Sequence, residues 1–136
     1  MAFDPVLNLA DLDGSNGFRI DGVAANDYSG RSVSSAGDIN GDGIDDLIIS
    51  APGADPNSSD SGSSYVVFGG GDFSIPLNLS TLNGSNGFRL DGVSINDASG
   101  RSVSSAGDIN GDGVDDLIIG APFADSNGFD SGSSYV

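Results

Sequence analysis

Arg31-Ser-Val-Ser-Ser-Ala-Gly-Asp-Ile-Asn-Gly-Asp-Gly43 recurs without a change at Arg101–Gly113, 70 positions downstream. Working outward in that register, Leu7–Val66 aligns with Leu77–Val136 with no gap and at roughly three-quarters identity, so two copies account for almost the whole chain. Near-identical segments fold into near-identical units. A fixed period of this kind marks a repeat architecture in which each unit buries its faces against its neighbours.

Within one unit the strand signals are short and evenly spaced: Ser32–Ala36, Asp46–Ser50, Ser64–Phe68 and Gly87–Asp91. Clusters such as Gly69-Gly70-Gly71 and Asn83–Gly87 mark the turns between them. Leu47-Ile48-Ile49, repeated as Leu117-Ile118-Ile119, is apolar on both sides. A half-solvated sheet would alternate, so this run predicts burial between two neighbouring sheets. The first strand carries small residues, as expected where strands crowd around an axis. Four strands per unit is the count for a propeller blade. The predicted fold class is therefore all-β, with β-propeller blades of four antiparallel strands; a two-sheet sandwich is the alternative, and the repeat argues against it. Residues 31–100 form one complete blade and residues 101–136 the first three strands of a second. Residues 1–30 lead in with an outer, fourth strand at about 17–21.

Every one of the 20 acids is Asp and every one of the 4 bases is Arg, giving a formal charge of −16. That balance opposes nucleic acid and anionic membranes, which are held by clustered Lys and Arg, and neither is expected as a partner. Acidity as a solubility device alone is the bland alternative, and the regular spacing of the acids argues against it. The 22 glycines, with no Cys and no Trp, favour turn-rich β-structure over a helical bundle or a disulfide scaffold. No apolar stretch approaches the roughly 18 residues of a membrane helix, so no membrane insertion is expected. Met1-Ala-Phe-Asp4 has neither a basic nor an apolar leader, so no signal peptide is expected in the chain as given.

The sharpest motif is Asp38-Ile-Asn-Gly-Asp-Gly-Ile-Asp-Asp46, copied as Asp108-Ile-Asn-Gly-Asp-Gly-Val-Asp-Asp116. Calcium takes six to eight oxygens at about 2.3–2.6 Å, and a chain that supplies them at alternate positions must turn sharply around the ion. Asp38, Asn40 and Asp42 offer side-chain oxygens, Ile44 its carbonyl, and Asp46 closes the site. The second site uses Asp108, Asn110, Asp112, Val114 and Asp116, which makes about one Ca2+ per blade. Without a cation the three carboxylates repel, so the ion is expected to be part of the fold. An EF-hand needs a bidentate Glu at position twelve and an exiting helix; here that position is Ile49, inside a β-branched run that ends at Ala51-Pro52. A metal-free Asp/Asn/Gly turn is the plain alternative.

A strand, then Gly-Asp-Ile-Asn-Gly-Asp-Gly-x-Asp-Asp, then Leu-Ile-Ile-Ser-Ala-Pro or Leu-Ile-Ile-Gly-Ala-Pro resembles the FG-GAP repeat of integrin α-subunits and of bacterial surface proteins. Gly120-Ala121-Pro122 matches the second half of that name and Ser50-Ala51-Pro52 nearly so, while Ser29-Gly30 and Ser99-Gly100 stand where the opening Phe-Gly would be. The resemblance implies a propeller with calcium in the hairpin between the first two strands of each blade, on one face of the disc. It implies an extracellular or cell-surface setting for the parent family. It also implies protein or glycan ligands on the opposite loops: Val23–Gly30, Val93–Gly100, Gly53–Gly62 and Phe123–Gly132, which carry Asp27, Tyr28, Asp55, Asp60, Asp97 and Phe129.

A propeller closes with about four to eight blades, so two must find partners. The strand phase suggests that the N-terminal strand of one chain completes the C-terminal blade of another. Ring closure by oligomerisation then gives a homotrimer with six blades or a homotetramer with eight. Near-identical copies after Met-Ala also suggest an excised or designed piece. The expected function is a calcium-stabilised scaffold for adhesion or partner binding. A purely structural self-assembling ring is the alternative. A saccharide-acting hydrolase or lyase is a weaker one, because His, Cys, Lys and Glu are absent and the clustered Asp residues are assigned to metal. The chain is not expected to be an enzyme.

Overall fold

Nine short strands, separated by tight turns, make up a computed structural model that describes residues 6–73 and 76–136. The Met1–Asp4 opening lies outside the described residues. In the first repeat, β2 (Val33–Gly37), β3 (Asp46–Ala51), β4 (Ser63–Val67) and β6 (Gly87–Asp91) form an antiparallel sheet in that order. In the second, β7 (Ser102–Gly107), β8 (Asp116–Ala121) and β9 (Ser133–Tyr135) form a three-stranded antiparallel sheet. The registers repeat: Ser35 faces Leu47 and Gly37 faces Asp46, just as Ser105 faces Leu117 and Gly107 faces Asp116. The extra residue between each pair, Ala36 or Ala106, makes a β-bulge. Each bulge ends in a left-handed glycine, Gly37 at φ 73° and Gly107 at φ 67°, with its N–H donated to the Ser35 or Ser105 hydroxyl.

The apolar run in β3 divides between the two faces of its sheet. Ile49 joins Ala51, Ala54, Tyr65, Val67 and Leu79 on one side, with Ile20, Phe73, Leu77 and Leu82 packed against them. Ile48 and Ala36 turn to the other side and meet Val103 and Ile119 of the second sheet. Burying an aliphatic side chain of this size contributes roughly 1.5–3 kcal/mol, so β3 is held from both faces. β4 is buried along its whole length. Burial pushes the Tyr65 phenol above the ordinary tyrosine range, against the pull of the nearby Arg89. Where β2 and β7 lie side by side, the Ser32 hydroxyl accepts the N–H of Val103 at 3.2 Å, a contact that only a small side chain permits.

The N-terminal segment differs from the sequence expectation in extent. Of the five residues 17–21, only β1 (Ile20–Asp21) enters a ladder, and it pairs in parallel with β5 (Leu77–Asn78). Phe18 stacks on Phe73 with centroids 4.0 Å apart, so this segment covers part of the outer face of the first sheet and leaves Val33 and Leu47 exposed. Gly17, at φ 147°, ends the extended run on its N-terminal side.

Candidate functional site

Each hairpin loop between the first two strands of a sheet is folded around its leading aspartate. Asp38 Oδ1 accepts the N–H groups of Gly41 and Asp42 at 2.8 and 3.0 Å, and its Oδ2 accepts that of Gly43 at 2.8 Å. Asn40 Oδ1 accepts from Asp42 N–H at 2.9 Å, and Asp42 Oδ1 accepts from Ile44 N–H at 2.8 Å. Asp108, Asn110 and Asp112 repeat the same bonds in the second loop. Short Asp and Asn side chains reach backbone donors two to five residues on, and left-handed Gly41, Gly43, Gly111 and Gly113 allow the chain to curl toward them.

Asp46 and Asp116 close the two loops differently. Asp46 is fully buried, and its carboxylate takes the N–H of Ile39 at 3.0 Å and that of Gly69 at 2.7 Å. Asp116 is half-buried and takes the N–H of Ile109 at 2.9 Å, with the Asn110 amide at 3.4 Å. The loops also touch across the sheets: Asp115 Oδ2 accepts the N–H of Asp38 at 3.0 Å, and Asp115 donates its own N–H to the Asp38 carbonyl at 3.3 Å. Asp115 does not figure among the candidate ligands read from the sequence.

The donor set of each loop is all oxygen, which suits a hard cation such as calcium. Among the described residues, however, no three acidic side chains converge in a metal-holding group. The loop carboxylates are turned onto backbone N–H groups instead. Asp38 and Asp108 each accept three N–H bonds and Asp42 and Asp112 one each, short of the roughly four lone-pair sites of a carboxylate, so the residue types fit the ion, while the arrangement is that of a self-bonded turn.

At the opposite ends of the strands, Val23–Gly30 and Val93–Gly100 meet the loops that follow β3 and β8. Here most of the aspartates build turns. Asp27 and Asp97 are buried and accept the N–H groups of Ala24 and Ser94, each at 3.1 Å. Asp55 and Asp125 accept those of Asp60 and Asp130, each at 2.7 Å. Phe129 is exposed. Between the two repeats on this face lies a cleft of about 300 Å³ lined by Tyr28, Arg31, Asp60, Asn96, Arg101 and Phe123. Arg31 and Arg101 open the invariant stretch, and that stretch by itself gives no sign that they share a cleft. A signal was nevertheless present: Tyr28 and Gly53 of the first copy become Ala98 and Phe123 in the second, an exchange of one aromatic between two loops.

The FG-GAP repeat profile matches residues 29–67 and 99–136. Integrin alpha-PS5 of Drosophila melanogaster is 41% identical over 104 residues, which cover 76% of this chain and 9% of that protein. Integrin alpha-5 of Xenopus laevis is 35% identical over 123 residues, 87% of this chain and 11% of the relative. Phosphatidylinositol-glycan-specific phospholipase D of Dictyostelium discoideum is 35% identical over 121 residues, 80% of this chain and 12% of the relative. The chain thus spans about a tenth of the length of the curated relatives it matches. The predominance of integrin subunits is consistent with a non-enzymatic module.

Proposed function

The chain belongs to the FG-GAP repeat family, and from that premise we propose that it is a calcium-stabilised propeller scaffold for adhesion or partner binding at the cell exterior. The observation that carries this reading is the oxygen-rich loop that occurs twice, each time in the hairpin joining the first two strands of a sheet. Asp38, Asn40, Asp42, the Ile44 carbonyl and Asp46 would hold one ion, and Asp108, Asn110, Asp112, the Val114 carbonyl and Asp116 the other. The ion supplies charge neutralisation: in a chain of formal charge −16, it removes the repulsion that three carboxylates suffer when drawn together. Millimolar calcium outside cells fills sites of modest affinity.

The scaffold closes by association of copies, as a trimer with six blades or a tetramer with eight. Two features support this. β9 is the edge of its sheet, and it repeats the sequence of β4, whose neighbour β6 differs from Gly17–Asp21 only by Leu90 in place of Ile20. The pairing of β4 with β6, Ser63 opposite Asp91 and Tyr65 opposite Arg89, therefore supplies a register for β9 against a second copy: Ser133 opposite Asp21 and Tyr135 opposite Arg19. In addition, an apolar groove of about 730 Å³ opens between the N-terminal segment and the first sheet, lined by Leu9, Leu12, Phe18, Ile20, Val33 and Leu47. A neighbouring blade would fill it.

The test is native mass and thermal unfolding in millimolar calcium, repeated after EDTA. A mass three or four times the 13.5 kDa of the chain, falling or unfolding on chelation, is the expected result. A folded monomer indifferent to EDTA overturns both the ion and the ring. An oligomer indifferent to EDTA overturns the ion alone.

A further inference from the structure

Two of the four arginines are spoken for: Arg19 pairs with Asp21 at 2.8 Å and Arg89 with Asp91 at 2.6 Å. Arg31 and Arg101 make no ion pair among the described residues, although the chain carries 20 aspartates. Both line the cleft between the repeats on the face away from the oxygen-rich loops. In so acidic a protein, two unpaired guanidinium groups facing one cavity are an electrostatic exception, and an exposed arginine fork is suited to bidentate capture of a carboxylate.

Two aromatic rings line the cleft with the arginines, and they come from different loops. Arg101 lies 5.7 Å from the centroid of Phe123. On the first repeat's side the ring is Tyr28, which passes over Gly53; a Cβ at residue 53 would stand 2.7 Å from the Tyr28 ring and closer still to the Asn26 carbonyl. The copies of these two positions are Ala98 and Phe123. The aromatic thus moves from one loop to the other but stays in the cleft. Core packing does not account for it, since Tyr28 is 65% and Phe123 41% exposed.

The walls are also held in place. Ala98 donates its N–H to the Asp60 carbonyl at 3.0 Å, and Asn96 to that of Ser59 at 2.9 Å, so the loop before β7 is stitched to the loop after β3. Tyr28, Asp60, Asn96 and Ala98, all of them cleft residues, have positive φ. Asn26 and Asp130, the copies of Asn96 and Asp60, share this conformation outside the cleft, so it belongs to the repeated turns, which the surrounding hydrogen bonds fix. A wall fixed beforehand loses little entropy on binding.

We propose that this cleft is a binding site for an acidic saccharide, its carboxylate held by Arg31 and Arg101, its sugar faces against Tyr28 and Phe123, and its hydroxyls bonded to Asp60 and Asn96. Exposed aromatic faces beside amide and carboxylate acceptors suit a polyhydroxylated ring better than an acidic peptide. The overall charge selects further. At physiological salt, charges beyond about 8 Å are screened, so a sparse carboxylate feels the local guanidinium pair. A densely sulfated polymer laid across the surface meets the aspartates instead.

The experiment is calorimetric titration of the protein, in millimolar calcium and again after EDTA, with a tetrasaccharide of alternating glucuronic acid and N-acetylglucosamine. Its methyl ester and an aspartate-rich peptide serve as comparisons. Such binding deepens the partner-binding reading and does not depend on the ion. The acid form is expected to bind with Kd below about 1 mM, and the ester at least about tenfold more weakly. R31Q, R101Q and Phe123→Ala are each expected to lose about tenfold or more in affinity with the melting temperature held. Equal binding of acid and ester, tighter binding of the peptide, no binding of the tetrasaccharide, or unaltered affinity in the folded variants overturns the proposal. If a variant does not melt cooperatively, the side-chain Nε–Hε resonances of Arg31 and Arg101 in the unaltered protein decide: they shift on titration with the acid form, or the site is elsewhere.

Discussion

Asp46 and Asp116 hold the same place in two loops that differ by one methylene group, Ile44 against Val114, yet their surroundings diverge. Asp46 is sealed from water with two backbone donors, one of them from Gly69 beyond β4, whereas Asp116 is half-buried with one backbone donor. Ile48 and Ile118 diverge likewise, the first fully buried against the second sheet and the second 39% exposed. Near-identical sequence therefore yields different burial, because in stacked repeats burial belongs to the neighbour as much as to the residue. The first repeat is packed on both faces, although Val33 and Leu47 stay open to the groove beside the N-terminal segment; the second is packed on one.

The comparison is broken most strongly at the closing aspartates. Asp46→Ala leaves two partly buried N–H groups, of Ile39 and Gly69, unpaired at about 1 kcal/mol or more each, whereas Asp116→Ala is expected to cost about 1 kcal/mol in all. Urea unfolding of the two variants measures the gap, and equal losses would show that the neighbour is irrelevant. The isoleucines sharpen the same point with less force. Ile48→Ala is expected to cost about 2–5 kcal/mol through the cavity it opens, and Ile118→Ala under about half of that while its face stays open. In an assembled ring the Ile118 variant should approach the Ile48 value, so the pair also reports on stacking.

The bulge glycines give the smallest contrast. Gly107→Ala meets open space and carries only the left-handed backbone cost, about 1–2 kcal/mol. Gly37→Ala carries that cost and also drives its Cβ into the Asp115 side chain. Its melting temperature should therefore fall further than that of Gly107→Ala; if the two fall together, the contact from Asp115 has no energetic weight.

Much of the architecture is legible in the residues. The four strands of the first sheet fall within a residue or so of the runs Ser32–Ala36, Asp46–Ser50, Ser64–Phe68 and Gly87–Asp91, because β-branched and small residues bounded by Gly and Asn clusters encode them locally. The double burial of Ile48 and Ile49 follows from the unbroken apolar run. The parallel pairing of β1 with β5 is not legible. It involves two residues on each side and arises from the Phe18–Phe73 stack and the cluster around Leu79, contacts between distant segments. In the candidate site, the loop turns follow from Asp, Asn and Gly spacing. The reach of Asp115 to Asp38 and the placing of Arg31 and Arg101 on one cleft depend on how the two sheets stack, which no local pattern fixes.

The duplicate partners of β6 bear on how the chain finds its fold. Gly87–Asp91 pairs with the Ser-Ser-Tyr-Val run in β4, and the same run recurs downstream at Ser133–Val136. The connecting segments are 19 residues, from Val67 to Gly87, and 41 residues, from Asp91 to Ser133. Loop-closure entropy favours the shorter by only about 0.7 kcal/mol, roughly threefold. A denatured chain returned to native buffer thus explores a mispaired hairpin almost as readily as the native one. A chain growing from its N-terminus on the ribosome closes β4 on β6 before β9 exists, so translation itself edits the choice.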